Sequence, residues 1–264
     1  MAAFVALVIA TVAAFFVTQH LKVSTPLIQG TPAPVPNTIN PVYAGVCSLH
    51  GAKGVVTPWN YKLMKISFYL QNRSDNVTVQ IVDRDDTPVR TIGNAVFMRA
   101  NPPKRHEFIW NGRQADGSIA PAGIYYVKVS LLHQGRSLII SNSTAARPVT
   151  VETTRPRVRV TGVTPATISA GSRTPVTIRY TGTGAIRPRI LIFRIAGGRP
   201  RQVKSYAATT RAGSSTWDGT LAGGKPAPPG TYVVALRFTD KACTMSRSPA
   251  SPAAAPRAVV TVGS

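Results

Sequence analysis

The stretch Trp110-Asn-Gly-Arg-Gln-Ala-Asp-Gly-Ser-Ile-Ala-Pro-Ala-Gly-Ile-Tyr-Tyr-Val127 recurs without a gap 107 residues later, as Trp217-Asp-Gly-Thr-Leu-Ala-Gly-Gly-Lys-Pro-Ala-Pro-Pro-Gly-Thr-Tyr-Val-Val234. The copies share Trp, Gly, Gly, Ala, Pro, Gly, Tyr and Val, which are mostly turn-formers and core anchors rather than reactive groups. Asp116-Gly117 and Gly223-Gly224 suit a hairpin-type turn, where positive φ favours Gly, Asn or Asp. Gly112 and Gly219 allow a sharp change of direction after the Trp, and Pro121/Gly123 and Pro228/Gly230 set the turn into the next strand. Tyr125 and Tyr232 suit a corner tyrosine capping a sandwich. Trp110 and Trp217 supply the large apolar area that anchors a small core. The repeat predicts two copies of one β module.

Working outward, Lys62 to Leu70 reads as a strand, and Asn76 to Asp83 alternates strictly, with Val77, Val79 and Ile81 on one face. Val89 to Ile92, Glu107 to Trp110, Gly123 to Leu132 and Pro148 to Glu152 supply later strands. The second copy repeats the order through Pro175–Tyr180, Arg189–Ile195, Gln202–Ala207, Thr216–Trp217, Thr231–Phe238 and Ala258–Val262. This pattern predicts an all-β fold of two tandem Ig-like or fibronectin-III-like β-sandwiches. The expected domains are 42–153 and 154–264, each near the usual domain size. Their short connection near Glu152 to Arg157 implies a stiff pair.

Ala2 to Thr18 is uncharged and almost wholly apolar. It reads as an N-terminal transmembrane signal anchor over residues 1–22, with a cleavable signal peptide as the competitor. The expectation is a single-pass cell-membrane protein with its N-terminus cytoplasmic and its domains outside. Pro26, Pro32, Pro34, Pro36 and Pro41 mark residues 23–41 as a Pro-rich stalk of extended backbone. Cys47 and Cys243 fall in different modules, leaving open either one interdomain disulfide or two free thiols.

The chain carries 31 Lys+Arg against 9 Asp+Glu, a net charge of +22. That balance favours anionic partners without choosing among them. Arg155, Arg157 and Arg159 alternate, so they share one outward face. With Arg187, Arg189, Arg199 and Arg201 they form a candidate patch for an anionic cell-wall polymer or lipid surface. A solvated sheet face in an Arg-rich chain is the plainer account. Nucleic acid is not expected, because no stacking aromatics are interleaved.

Chemistry is sparse. His20, His50, His106 and His133 lack metal-ligand spacing, and the cysteines are not a CxxC pair. Asp83-Arg-Asp85-Asp86 reads as a solvated turn, with weak Ca²⁺ binding as the alternative. No catalytic, cofactor or metal residue is assigned, and neither an enzyme nor a cofactor is expected. The repeated residues Trp110, Gly112, Asp116, Gly117, Gly123 and Tyr125, then Trp217, Asp218, Gly219, Gly224, Gly230 and Tyr232, resemble the FlgD Ig-like domain. That family is named for the flagellar hook-capping protein. The first copy departs from the pattern mildly, with Asn111 where Asp is usual. The resemblance covers residues 42–264 and implies a structural or binding module. Joined to the expected anchor, it suggests a membrane-anchored extracytoplasmic protein contacting anionic wall or lipid groups. The alternatives are a non-catalytic accessory or truncated relative of an exported enzyme and, ranked last, a flagellar hook assembly factor.

Overall fold

Alternating apolar and polar side chains decide the strands, because only one face of each can be buried. The computed structural model describes residues 2–24, 28–30, 33–50, 56–140, 147–172, 174–182, 188–208, 213–249, 251 and 256–264. In the first half, β1 (Thr38–Ile39), β2 (Val46–His50) and β3 (Val56–Asn60) are followed by β4 (Met64–Phe68) and β5 (Asp75–Val82). Then come β6 (Pro88–Met98), β7 (His106–Trp110), β8 (Gly123–Leu131), β9 (Arg136–Ile139) and β10 (Val149–Val151). One sheet runs β1-β10-β8-β5-β6 with β9 on β8; β4 pairs β7, and β2 pairs β3 as a separate hairpin. Val77, Val79 and Ile81 of β5 and Val127, Val129 and Leu131 of β8 meet Met64, Ile66 and Phe68 of β4 and Phe108 and Trp110 of β7 in one core. Two sheets sharing one core make a sandwich.

The second half repeats the connectivity. Its strands are β11 (Val158–Thr164), β12 (Thr167–Ser169), β13 (Val176–Gly182), β14 (Arg189–Ala196) and β15 (Arg199–Ala207), then β16 (Gly213–Trp217), β17 (Gly230–Thr239), β18 (Met245–Ser248) and β19 (Val259–Gly263). The large sheet runs β12-β19-β17-β14-β15 with β18 on β17, facing the small sheet β11-β13-β16. β1 lies parallel to β10, and β12 likewise lies parallel to β19. A second core gathers Val176, Ile178, Tyr180, Trp217, Tyr232, Val234, Leu236 and Phe238.

Two expectations for the N-terminal region are corrected. Residues Ala2–Ser24 form helix α1, yet among the described residues no helix is long and apolar enough to cross a membrane. The mostly apolar run, Ala2 to Val17, rises about 24 Å, short of the ~30 Å hydrocarbon core. The signal anchor at 1–22, the single-pass placement and the membrane as partner are therefore not supported. The stalk also differs from expectation. Gln29 and Tyr69 exchange backbone hydrogen bonds, as do Val35 and Lys65, so this segment pairs with β4. Pro34 and Pro36 are buried, and Ile39 is fully buried in the first core. Proline is tolerated there because an edge segment needs few of its N–H groups. Pro26 and Pro32 lie outside the described residues.

Candidate functional site

The repeated motif builds the same corner twice. Trp110 Nε1–H donates to Arg113 O at 2.8 Å, and Trp217 Nε1–H donates to Thr220 O at 2.8 Å. Tyr125 Oη–H donates to Pro121 O at 2.8 Å, and Tyr232 Oη–H to Pro228 O at 2.7 Å. The rings meet at 5.4 Å for Trp110 and Tyr125 and 5.3 Å for Trp217 and Tyr232. Each buried ring thus places its polar atom on a carbonyl of its own turn, which removes the cost of desolvating it. Burial pushes both tyrosine hydroxyls above their usual pKa; Asp83 adds to this at Tyr125, while Arg194 opposes it at Tyr232.

The glycines follow from backbone geometry. Gly112 and Gly219 have φ of 68° and 69°. A Cβ on Gly112 would also stand 2.9 Å from Pro41 Cγ. In each copy the residue after the first glycine's turn closes the loop: Ala120 N–H donates to Gly112 O at 2.9 Å and Ala227 N–H to Gly219 O at 2.8 Å. Gly117 and Gly224 also take positive φ, while Gly230 does so and Gly123 does not. Asp116 Oδ1 accepts from Ser118 N–H at 2.9 Å, an Asx turn in the first copy. Asp218 Oδ1 accepts from Thr220 N–H at 3.1 Å and from Lys204 Nζ at 2.6 Å. Burial raises the Asp218 carboxyl, but the hydrogen bonds of Lys204 and Thr220 and the Lys204 charge bring it down to about 2. Every carboxylate here is engaged in local structure.

The arginines are not brought to one place. Arg155, Arg157 and Arg159 are exposed at and just before β11 in the small sheet. Arg199 and Arg201 lie on β15, the outer strand of the large sheet. Arg189 donates to Ser205 Oγ at 3.2 Å, Arg155 stacks 4.8 Å over the Tyr43 ring, and Arg187 lies outside the described residues. Asp83 Oδ1 accepts from Asp85 and Thr87 N–H, and Asp86 pairs with Lys128. Among the described residues no three His, Cys, Asp or Glu group to hold a metal.

Three features escaped the sequence. Cys47 and Cys243 form a disulfide with Cα atoms 5.9 Å apart. Asp75, almost fully buried, accepts from His133 N–H and Nδ1 at 2.9 Å and from Gln134 N–H at 3.1 Å. Burial, then the nearby Asp240 carboxyl, raises the Glu152 carboxyl above its usual range. Their partners are 58 to 196 residues apart, beyond the reach of local spacing; only the even cysteine count was a signal.

The fold is all-β, and over residues 60–135 the chain matches the FlgD Ig-like domain family. The Trp110–Tyr125 corner lies within that span. Over 98 residues the chain is 35% identical to the basal-body rod modification protein FlgD of Escherichia coli (strain K12), covering 37% of this chain and 38% of that protein. Against the protein of the same name from Salmonella typhimurium (strain LT2) it is 31% identical over 121 residues, 46% of each chain. The chain thus spans less than half the length of these relatives. Among solved structures, dimeric latent PorU from Porphyromonas gingivalis aligns with 92% of this chain and 21% of its own at 11% identity and a TM-score of 0.32.

The relatives overturn the expected membrane-anchored role at the wall or lipid surface. They are named as basal-body rod modification proteins, and they back the alternative that the sequence reading ranked last.

Proposed function

We propose that this chain is a non-enzymatic flagellar assembly factor acting at the hook or rod, built from two tandem copies of the FlgD Ig-like module, residues 42–153 and 154–264. The observation that carries the reading is the family match over residues 60–135, with relatives named as basal-body rod modification proteins. The matching Trp–Tyr corners support a second copy. In this reading the motif residues are scaffold, and contact falls to surfaces that differ between the copies. Arg155, Arg157 and Arg159 are the face offered to an acidic partner.

Photo-crosslinkers at the exposed residues Phe97 and Ile109, placed in the full chain in its own cells, test this. Adducts with rod or hook subunits are expected, together with loss of motility when the gene is deleted. Adducts confined to non-flagellar proteins with motility intact would overturn the reading.

A further inference from the structure

Among the described residues, the hairpin β2–β3 has no counterpart in the second half. Residues 40–63 separate β1 from β4, whereas only 170–175 separate β12 from β13. This inserted hairpin carries Cys47, bonded to Cys243 at a sequence separation of 196. Cys243 sits in the turn between β17 and β18, and that turn is built to hold it. Asp240 N–H donates to Thr244 O at 3.1 Å, Cys243 N–H to Asp240 O at 3.2 Å, and Thr244 N–H to Asp240 Oδ1 at 2.7 Å. Cys243 itself has φ of 57°, a region that a β-carbon disfavours. Gly45 N–H then donates across the junction to Cys243 O at 3.2 Å.

Polar contacts also cross or flank this junction. Asn40 Nδ2 donates to Thr154 O at 2.8 Å, Arg155 covers Tyr43, and Glu152 meets Asp240. Neither cysteine belongs to either hydrophobic core. Breaking the bridge therefore removes no core contact from either sandwich. It removes the one covalent tie between them besides the peptide link near residues 152–157.

We propose that the Cys47–Cys243 bridge is a redox-controlled staple, whose reduction by a dithiol turns the junction into a hinge while both cores stay folded. The inference does not depend on the flagellar reading. A groove of about 50 Å³ lined by Cys47, Tyr61, Asp240, Lys241 and Cys243 gives solvent access to the bridge. Cys47 is partly exposed and Cys243 is buried, so an incoming thiolate attacks Cys47 Sγ and Cys243 departs as a thiolate that takes up a proton. The reductant's second thiol then displaces Cys47 from the mixed disulfide. The dithiol leaves as a disulfide, and its two electrons and two protons end on the two cysteines. A disulfide oxidant runs the same steps in reverse.

Spin labels attached by non-thiol chemistry at the exposed residues Ser137 and Lys225 report the distance between the two halves of the full chain. The oxidised protein is expected to give one narrow distance. Dithiothreitol should broaden it, and the double variant Cys47→Ser, Cys243→Ser should reproduce the broad distribution without reductant. Amide hydrogen exchange along the core strands β5, β8, β14 and β17 should stay unchanged in all three samples. A narrow distance that survives reduction with two free thiols counted would sink the proposal. So would loss of exchange protection in either core on reduction, which would make the bridge a folding requirement rather than a hinge lock.

Discussion

Tyr125 and Tyr232 each hold a turn carbonyl four residues upstream. A neutral hydrogen bond of this kind contributes about 1 kcal/mol net. Tyr125→Phe and Tyr232→Phe should each lower unfolding free energy by about that amount, measured by urea denaturation. The two losses should add, because the corners sit in separate cores. At Gly182 crowding decides: an added Cβ would stand 2.1 Å from Cε2 of the fully buried Phe238. Gly182→Ala should therefore cost about 1–3 kcal/mol; a thermal midpoint equal to wild type would show that the ring has room to shift. Asp75 tests electrostatics. Burial opposes its charge, but the hydrogen bonds from His133 and Gln134 outweigh burial and lower its pKa. A lowered folded pKa means stability present above the unfolded value of 3.8 and lost as pH falls through the folded one. Asp75→Asn should lose this acid dependence, so the gap between variant and wild type closes below that window.

At the scale of elements, the outer strands carry their own protection. β15 ends its large sheet with Arg199, Pro200, Arg201 and Lys204 along it, and charge and proline discourage pairing with another chain. β6 ends the other large sheet with register shifts against β5 and with Ala95 at φ of 47°, a bulge that serves the same end. Where the two halves meet, Glu152 and Asp240 show the opposite pH sign from Asp75. Burial first, then the Asp240 charge and hydrogen bond, raise Glu152, with Lys241 opposing; burial raises Asp240 against the backbone donors of its turn. Raised folded values mean stability present below the unfolded pKa and lost as pH rises through the folded pKa. Asp240 Oδ2 is buried with no hydrogen-bond partner, which disfavours its charged form. Glu152→Gln should flatten the stability profile just above the usual carboxylate range, read from denaturation midpoints across pH. A profile as steep as wild type would place the titration elsewhere.

For the whole molecule, the staple predicts calorimetric behaviour. Oxidised protein should unfold in one transition, and reduced protein in two, because the cores are separate clusters. One shared transition in the reduced form would mean that the junction couples the halves without the bond. Much of the fold was legible beforehand. Strict alternation along Val77, Val79 and Ile81, and turn glycines at fixed offsets from Trp110 and Trp217, report local backbone preference. The turn and corner positions of the motif were legible for the same reason. The arginine face was legible only as a period-two pattern; its dispersal over two sheets was not, since strand order is set by long-range pairing. The apolar N-terminus misled, because composition near the length threshold resembles a span. The prolines of 33–41 misled too, because their extended preference serves an edge segment packed on a core as well as a free stalk. By itself, then, the order of residues determined the β class, the repeat and its two corners, since these depend on interactions within a few residues. Only the tertiary structure decided that Cys47 meets Cys243, that Asp75 holds His133, and that Glu152 faces Asp240. Those pairings arise when distant strands close, and loop-closure entropy leaves no trace of its outcome in local spacing.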